Sequence, residues 1–239
     1  MIVALLALLL QQIAVAQPIT AAKIEFEVKV NVHKTMGDDS WGEKMREAIP
    51  QFSVNYYDFI FANNKSIYKF NRTDERYKFP NWMDEGDNEN IWYNNFDINQ
   101  QITQHTVAGD KLLLADSLTK INWRLSNESR MIAGFNCRKA IGRIFDSVYV
   151  FAFYTDDIMI TGGPMSINGL PGMVLGLTIP RMYASYIATK VQVVDVPEKL
   201  IVPPGKGKYK TRAEMNKFIS ERTEDWGKYR ERFTWNVLL

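Results

Sequence analysis

The sequence contains a single cysteine, Cys137, among 239 residues. One thiol cannot form a disulfide within the chain, so the folded protein must be stabilised by its own core. Histidine is almost as scarce, because only His33 and His105 occur and their spacing is not that of metal ligands. The sequence therefore predicts no metal ion and no other cofactor. A copper site built from Cys137, a histidine and methionine sulfur is kept as an alternative.

An excess of charge of one sign is also missing. The formal net charge is +2, from 29 basic and 27 acidic residues. A nucleic-acid-binding protein would carry basic residues clustered on one face, so no nucleic-acid partner is predicted. After the N-terminal residues, no apolar run is long enough to cross a bilayer, and the mature chain is predicted to have no transmembrane segment.

No familiar catalytic motif is present. The G-x-S-x-G elbow of serine hydrolases does not occur. Asp156 and Asp157 adjoin each other at the end of an aromatic strand, where neighbouring side chains point to opposite faces and cannot cooperate. Cys137 precedes two cations, but its place in an alternating strand favours a buried structural thiol. No catalytic residue is predicted, and a non-enzymatic role is favoured. The alternative is a hydrolase that uses Cys137 or Asp157 with a histidine.

The first residues have the features of a secretory signal. Residues 2–10 are uninterruptedly apolar, and Ala14, Val15 and Ala16 form a small-x-small cleavage site. We therefore expect a signal peptide over residues 1–16 and an exported mature chain. A bacterial lipoprotein would carry cysteine directly after this site, where the sequence has Gln17, so no lipid anchor of that kind is expected.

Alternating polar and apolar residues dominate the next part of the chain. Residues 23–33 alternate strictly, which is typical of a strand with one dry face. Residues 51–61 and 66–70 are predicted to form a hairpin joined at an Asn-Asn turn. Helical crossovers of the length needed for parallel pairing are missing. The sequence predicts a mainly β domain over residues 17–200, built as a curved antiparallel sheet or open half-barrel.

The pattern changes after residue 200. Residues 202–208 form a stiff linker with two prolines, and Thr211 with Glu214 fits a capping box. Apolar residues then recur at helical spacing as far as Phe233. Residues 201–239 are predicted to be a linker and one amphipathic C-terminal helix that packs against the sheet, because an exposed stripe of this kind favours aggregation.

A segment rich in glycine and proline spans residues 162–175. Its turn elements, GGP and GLPG, are followed by an apolar run, so it predicts a rigid packed turn before a buried strand at residues 173–179. A Walker-type phosphate loop would end in lysine and serine or threonine, and this segment does not.

Aromatic residues in polar stretches give the clearest indication of a binding surface. Trp82, Trp92 and Tyr93 lie in stretches without a clean core period. Such residues can form sugar- or peptide-binding surfaces, and we identify them as the candidate binding residues. The alternative is that they close the end of a β-sheet.

Several motifs in one order resemble the GLPGLI protein family. Residues 121–123 resemble its strand that ends in tryptophan, and residues 132–140 resemble its I-x-G-[YF]-x-C-x-K-A segment. Residues 151–158 are similar to its aromatic strand. The signature positions are Trp123, Cys137, Gly163, Pro164, Gly169, Leu170, Pro171 and Gly172.

This resemblance implies an exported protein of a Gram-negative bacterium, in the periplasm or at the periphery of the outer membrane. The family brings no agreed catalytic residues and is found among organisms rich in TonB-dependent importers. We therefore expect a non-enzymatic module that binds a hydrophobic or peptide-like ligand, or an outer-membrane partner such as an importer. Phe26, Val28, Tyr149 and Phe151 would line its apolar concave face.

Overall fold

The structure is a computed structural model that describes residues 18–37, 40–79 and 89–239. Within these residues twelve strands and four α-helices are formed. The strands are β1 (Ala22–Asn31), β2 (Phe52–Ala62), β3 (Lys65–Thr73), β4 (Ile91–Asn95), β5 (Gln100–Val107), β6 (Asp110–Ser117), β7 (Arg124–Ile132), β8 (Phe135–Ile144), β9 (Val148–Thr155), β10 (Met173–Ile179), β11 (Ala184–Gln192) and β12 (Lys208–Lys210). The helices are α1 (Val32–Thr35), α2 (Ser40–Ala48), α3 (Arg212–Arg222) and α4 (Lys228–Leu238).

All twelve strands belong to one open sheet with the order β12-β6-β5-β4-β3-β2-β1-β11-β10-β9-β8-β7. Each neighbouring pair is antiparallel except β12 with β6. The N-terminal strand β1 lies inside the sheet, between β2 and β11. The predicted fold class is confirmed, since the chain is mainly β with an open, curved antiparallel arrangement and a helical C-terminus.

The strict alternation of β1 gives the sheet two different faces. Phe26 is fully buried and stands opposite Tyr57 of β2, and we call the face that carries it the inner face. Glu25 points the other way and stands opposite Asp58, on what we call the outer face. The cross-strand register extends the inner face from Phe26 to Ala152 of β9 in one direction and to Trp92 of β4 in the other.

The glycine- and proline-rich segment fills the space over the inner face. Its side chains Met165, Ile167 and Leu170 are at most 2% exposed and belong to the same core as Phe26. The backbone of the segment forms hydrogen bonds within itself, for example from Ile167 N to the carbonyl of Pro164. The predicted packed turn is confirmed, and the strand that follows it, β10, starts at Met173 as expected.

Two glycines of this region are required because neighbouring strands approach them closely. A Cβ on Gly172, whose φ is +145°, would overlap the carbonyl oxygen of Thr155 in the paired strand β9. A Cβ on Gly163 would lie 2.8 Å from the Cβ of Val174. The GLPG and GGP motifs are therefore explained by packing of the chain against its own neighbouring strands.

Two parts of the sequence form more elements than their patterns predict. The pattern over residues 130–143 predicts one strand, but Ala133 and Gly134 take positive φ values of 49° and 88° and turn the chain from β7 into β8. The predicted single C-terminal helix is two helices. It ends at Arg222 and restarts at Lys228, after Gly227 with a φ of 51°. Glycine adopts such angles without strain, which favours the breaks at Gly134 and Gly227.

The two C-terminal helices pack against one end of the sheet, as predicted for this segment. Met215 and Ile219 of α3 and Val237 of α4 share a buried cluster with Leu112 and Leu114 of β6. Thr211 and Glu214 form the predicted capping box at the start of α3. Arg212 adds an ion pair of 3.0 Å with Asp116 and donates to the carbonyl of Leu238 at 2.8 Å.

The predicted signal peptide, residues 1–16, lies outside the described residues. In the part of the chain that the structure describes, no helix is both long enough and apolar enough to span a bilayer.

Candidate functional site

Polar side chains form two rows across the inner face of β3, β4 and β5. In the first row Ser66, Asn94 and Gln101 stand opposite one another, and in the second row Tyr68, Trp92 and Thr103 do so. His105 extends the pattern two residues along β5. We call these residues, listed here in full, the inner polar cluster: Ser66, Tyr68, Trp92, Asn94, Gln101, Thr103 and His105. Each is at most 3% exposed.

Most polar atoms of the inner polar cluster lack a hydrogen-bond partner among the described residues. The unpartnered atoms are the hydroxyls of Ser66 and Tyr68, Trp92 Nε1, Asn94 Oδ1, both amide atoms of Gln101 and His105 Nδ1. Buried polar groups are nearly always paired, and one left unpaired costs about 1–3 kcal/mol. A group of adjacent unpaired donors and acceptors therefore marks a place where partners of matching chemistry would be bound strongly.

The inner polar cluster is electrically neutral. Burial lowers the pKa of His105 to about 3, so its imidazole carries no charge near neutral pH. Its Nε2 lies 3.0 Å from Thr103 Oγ1, and its ring meets that of Trp92 edge-on at a centroid distance of 5.2 Å. Burial also raises the pKa of Tyr68, with smaller contributions from the nearby Tyr57 and Tyr186. The cluster thus offers neutral donors, neutral acceptors and aromatic rings.

The glycine- and proline-rich segment covers this cluster. Asn94 donates from Nδ2 to the carbonyl of Met165 at 3.2 Å, and the next residue, Ser166, has a buried hydroxyl without a partner among the described residues. Further along, Asn168 donates to the carbonyl of Thr119 and accepts through its own carbonyl from Trp123 Nε1 at 2.9 Å. The segment that the sequence singled out therefore lies over a polar surface that it did not reveal.

A second polar group lies on the outer face and is accessible to solvent. Lys23 forms an ion pair of 2.7 Å with Asp58, and Arg72 forms one of 3.2 Å with Glu25. Arg72 also lies over the ring of Tyr56, 3.6 Å from its centroid. Burial, followed by the charge of Glu27, raises the pKa of Tyr56. Each of these carboxylates forms an ion pair or a hydrogen bond with a neighbouring side chain. Such pairing is typical of a stabilised sheet surface and not of a reaction centre.

The side chains of the predicted hydrolase alternative are bonded to other groups. Cys137 is fully buried on β8 and lies 3.5 Å from the carbonyl of Phe135. His33 Nε2 lies 3.1 Å from the carbonyl of Ile49, whereas His105 bonds Thr103. Asp157 accepts from the hydroxyl of Thr155 at 3.2 Å. No cysteine–histidine or aspartate–histidine hydrogen bond occurs among these residues in the described structure.

The adjacent Asp156 has a structural role as well. Its carboxylate forms an ion pair of 2.8 Å with Arg138 on the protein surface. The described residues contain no group of three or more His, Cys, Asp or Glu side chains placed to hold a metal ion.

Cys137 is expected to be chemically inert in the folded protein. Burial raises the pKa of its thiol to about 11, an effect that the charge of Arg130 only partly offsets. Because the thiolate is the reactive form, alkylation by iodoacetamide at pH 8 should be at least about a hundredfold slower than in the unfolded chain. Mass spectrometry of samples taken with and without guanidinium measures this ratio. Equal labelling rates in both conditions would contradict the burial of the thiol.

The candidate binding residues are placed in three different ways. Trp82 lies outside the described residues. Trp92 and Tyr93 are adjacent on β4, so Trp92 joins the inner polar cluster and Tyr93 points to the outer face, where it is buried under residues such as Val196 and Ile201. The predicted concave lining is not formed, because Phe26 and Val28 are in the core whereas Tyr149 is 56% exposed on the outer face.

A family model described as "N-glycanase peptide, N-terminal domain" matches residues 59–207, which is more than half of the chain. The chain belongs to this family. The match extends from β2 through β11, and it includes the inner polar cluster and the segment that covers it. No curated protein matches the chain in sequence.

Solved structures show the same fold. PNGF-II in a C2 crystal form is 15% identical, with a TM-score of 0.52 over 87% of this chain and 33% of the PNGF-II chain. PNGF-II in a P21 form is 14% identical, with a TM-score of 0.53 over 87% of this chain and 34% of its own. This chain thus spans about a third of the length of the PNGF-II chains that it matches. At such low identity the likeness concerns the fold.

These findings correct two predictions from the sequence. Membership of the GLPGLI family is wrong, because the matching family is that of the N-glycanase N-terminal domain. The predicted non-enzymatic module for a hydrophobic ligand or an outer-membrane partner is wrong for the same reason. The motifs behind both predictions consist of packing residues, such as Trp123 against Gly142, where an added Cβ would lie 2.8 Å from the indole ring.

Proposed function

We propose that this chain acts in the removal of N-linked glycans from glycoproteins, with its β-sheet as the N-terminal domain of an N-glycanase. The observation that carries this proposal is the family match over residues 59–207. The fold shared with PNGF-II supports it, because the shared part covers 87% of this chain.

The reaction proposed is the hydrolysis of a substituted amide. In an N-linked glycan, the first sugar is attached to the side-chain nitrogen of asparagine. Water adds its hydroxyl to the carbonyl carbon, the carbon–nitrogen bond breaks, and the remaining proton goes to the departing amine. The protein is left with an aspartate, and the sugar leaves as a glycosylamine. An enzyme for this reaction must recognise both peptide and sugar, and the neutral groups of the inner polar cluster suit the sugar.

The proposal is tested with two peptides that differ only in one glycan. One carries a neutral N-linked oligosaccharide on a single asparagine, and the matched peptide carries the unmodified asparagine. We expect the full chain to bind the glycopeptide at least about tenfold more tightly, since one additional satisfied hydrogen bond is worth about that factor. Isothermal titration calorimetry measures both affinities.

Turnover is followed in the same samples by mass spectrometry. Conversion of the glycosylated asparagine to aspartate by the full chain would support the proposal directly. Equal affinity for the two peptides, together with unchanged peptide masses, would overturn it.

We also propose that the chain is exported. The apolar run at residues 2–10 and the small residues at 14 and 16 support this. Location in the periplasm or at the periphery of the outer membrane would give the protein access to glycoproteins outside the cytoplasm.

A further inference from the structure

The inner polar cluster contains buried polar atoms that lack hydrogen-bond partners among the described residues. Its members stand in register on three adjacent strands, so their side chains are cross-strand neighbours at separations of about 5 Å between Cβ atoms. Gln101 is fully buried, and neither its amide nitrogen nor its amide oxygen has a partner among the described residues. Stability alone would favour methionine or leucine at such a position, because an apolar side chain leaves no polar atom unpaired.

The same strand contains a glutamine that shows the ordinary solution. Gln104 is 6% exposed on the outer face, and its amide nitrogen donates to the carbonyl of Glu89 at 3.0 Å. Two glutamines on β5 are three residues apart and both buried, and among the described residues only the outer one has a hydrogen-bond partner. The contrast points to a function for the inner one.

We propose that the inner polar cluster is a binding site for an uncharged saccharide unit of an N-linked glycan. This inference rests on the proposed function and names the part of the substrate that the domain recognises. Sugar hydroxyl and acetamido groups both donate and accept. They match the donors Trp92 Nε1 and Gln101 Nε2 and the acceptors Asn94 Oδ1 and Gln101 Oε1, which have no partner within the described part of the chain. The indole of Trp92 supplies an apolar surface for the face of the sugar ring.

The chemistry of the site excludes a charged ligand. None of its seven side chains carries a formal charge near neutral pH, since the imidazole of His105 is neutral there. A phosphate, carboxylate or ammonium group would be desolvated in this site without a counter-ion, at a cost that neutral hydrogen bonds do not offset. A neutral sugar has no such penalty.

The site is closed in this structure, so entry requires the covering segment to move away from β4. Among the described residues, the side-chain hydrogen bond that connects the two is that from Asn94 to the carbonyl of Met165. Residues 162–169 are held together by their own hydrogen bonds, including the bridge between Gly162 and Asn168. Their movement would also break the hydrogen bonds of Asn168 with Thr119 and Trp123 and would take Met165 out of the core. Hydrogen bonds from the cluster to the sugar would offset the packing that this movement disrupts.

The test compares Gln101→Met with Gln104→Met in the full chain. Both variants replace an amide with an apolar side chain of similar shape on the same strand. For Gln101→Met we expect Tm to rise by at least about 4 °C, because it removes two atoms that have no partner among the described residues. The probe is a neutral oligosaccharide that has been released from its asparagine. We expect the affinity of Gln101→Met for this probe to fall at least about tenfold. Gln104→Met should lower Tm by a similar amount and leave the affinity unchanged. Ser66→Ala, which removes another unpaired hydroxyl, provides an independent variant of the inner face.

The outcomes separate this inference from the proposed function. If Gln101→Met and Ser66→Ala bind the glycopeptide as tightly as the wild type does, the inner polar cluster is not the sugar site. The proposed function would then still stand. The absence of any glycan-dependent binding by the wild type, together with unchanged peptide masses, would overturn both. A lower Tm in Gln101→Met, with unchanged affinity, would show that ordered water satisfies the cluster and would also overturn the site.

Discussion

Replacing Gly172 by alanine is expected to prevent the protein from folding stably. The added Cβ would overlap the carbonyl oxygen of Thr155 and would lie 2.7 Å from the carbonyl carbon of the same residue. These are backbone atoms of the paired strand β9, so no side-chain rotation relieves the overlap, and the β9–β10 pairing must separate. We expect a loss of more than about 4 kcal/mol, a large part of the total stability of a typical domain. Thermal unfolding followed by circular dichroism measures the loss.

Gly134→Ala is the matched control for this effect. Gly134 also has a positive φ, +88°, but a Cβ there would meet no atom within 4 Å. Its substitution should therefore cost only the conformational penalty of about 1–2 kcal/mol. Equal losses in the two variants would show that backbone angle alone, and not the approach of β9, requires glycine at position 172.

Acid is expected to destabilise the protein through His105. Its pKa is about 3 in the folded chain because of burial, compared with about 6.5 for an unperturbed histidine. Between these values the unfolded state binds a proton that the folded state does not. The free energy of unfolding therefore falls as the pH decreases below about 6.5, by about 2–3 kcal/mol at pH 4.5.

Urea unfolding at a series of pH values measures this dependence, and His105→Gln should show a shallower decrease than the wild type. His33→Gln is the matched control, because it removes the other histidine and keeps the His105 contribution. NMR gives a second measurement, in which the imidazole signals of His105 stay unchanged from pH 8 to pH 4.5. A midpoint near 6.5 for those signals would contradict the burial of a neutral ring.

The elements that the sequence predicts correctly are those in which one local rule decides the structure. Strict alternation identifies β1, and Asn63 and Asn64, with φ values of 49° and 53°, take the left-handed conformation that a tight hairpin requires. The packed turn at residues 162–172 follows from glycine and proline in the same way. Each of these signals lies within a few neighbouring residues.

The inner polar cluster could not be predicted by such rules. Alternation on β5 separates Gln101, Thr103 and His105 from Ile102, but it does not tell which set points inward. Polar residues are normally assigned to solvent, whereas here both faces of β5 are buried. The inner face is covered by residues around Met165, more than sixty positions away in the sequence, and local patterns carry no information about that contact. An aromatic residue outside a clean core period, as Trp92 is, indicates a binding surface without revealing its surroundings.

The family prediction failed for a related reason. Gly172 and Trp123 are specified by close contacts inside the fold, with Thr155 and Gly142 respectively, so motifs that contain them describe a packing geometry. Such a geometry can be shared by proteins of different families. The match over residues 59–207 draws on many positions at once and is therefore decisive where the short motifs were not.

The position of β1 within the sheet determines the order in which the molecule can be assembled. β2 follows β1 closely in the chain, but the partner on the other side, β11, begins only at Ala184, and the register joins Lys23 to Gln192. During synthesis, one edge of β1 must therefore stay unpaired while all the strands from β3 to β10 leave the ribosome. Pairing across such a distance is slow, and an open edge invites contacts with other chains. The pairing of β1 with β11, in the middle of the sheet, is thus one of the last contacts to form, and until it forms the open edge of β1 is exposed to other chains.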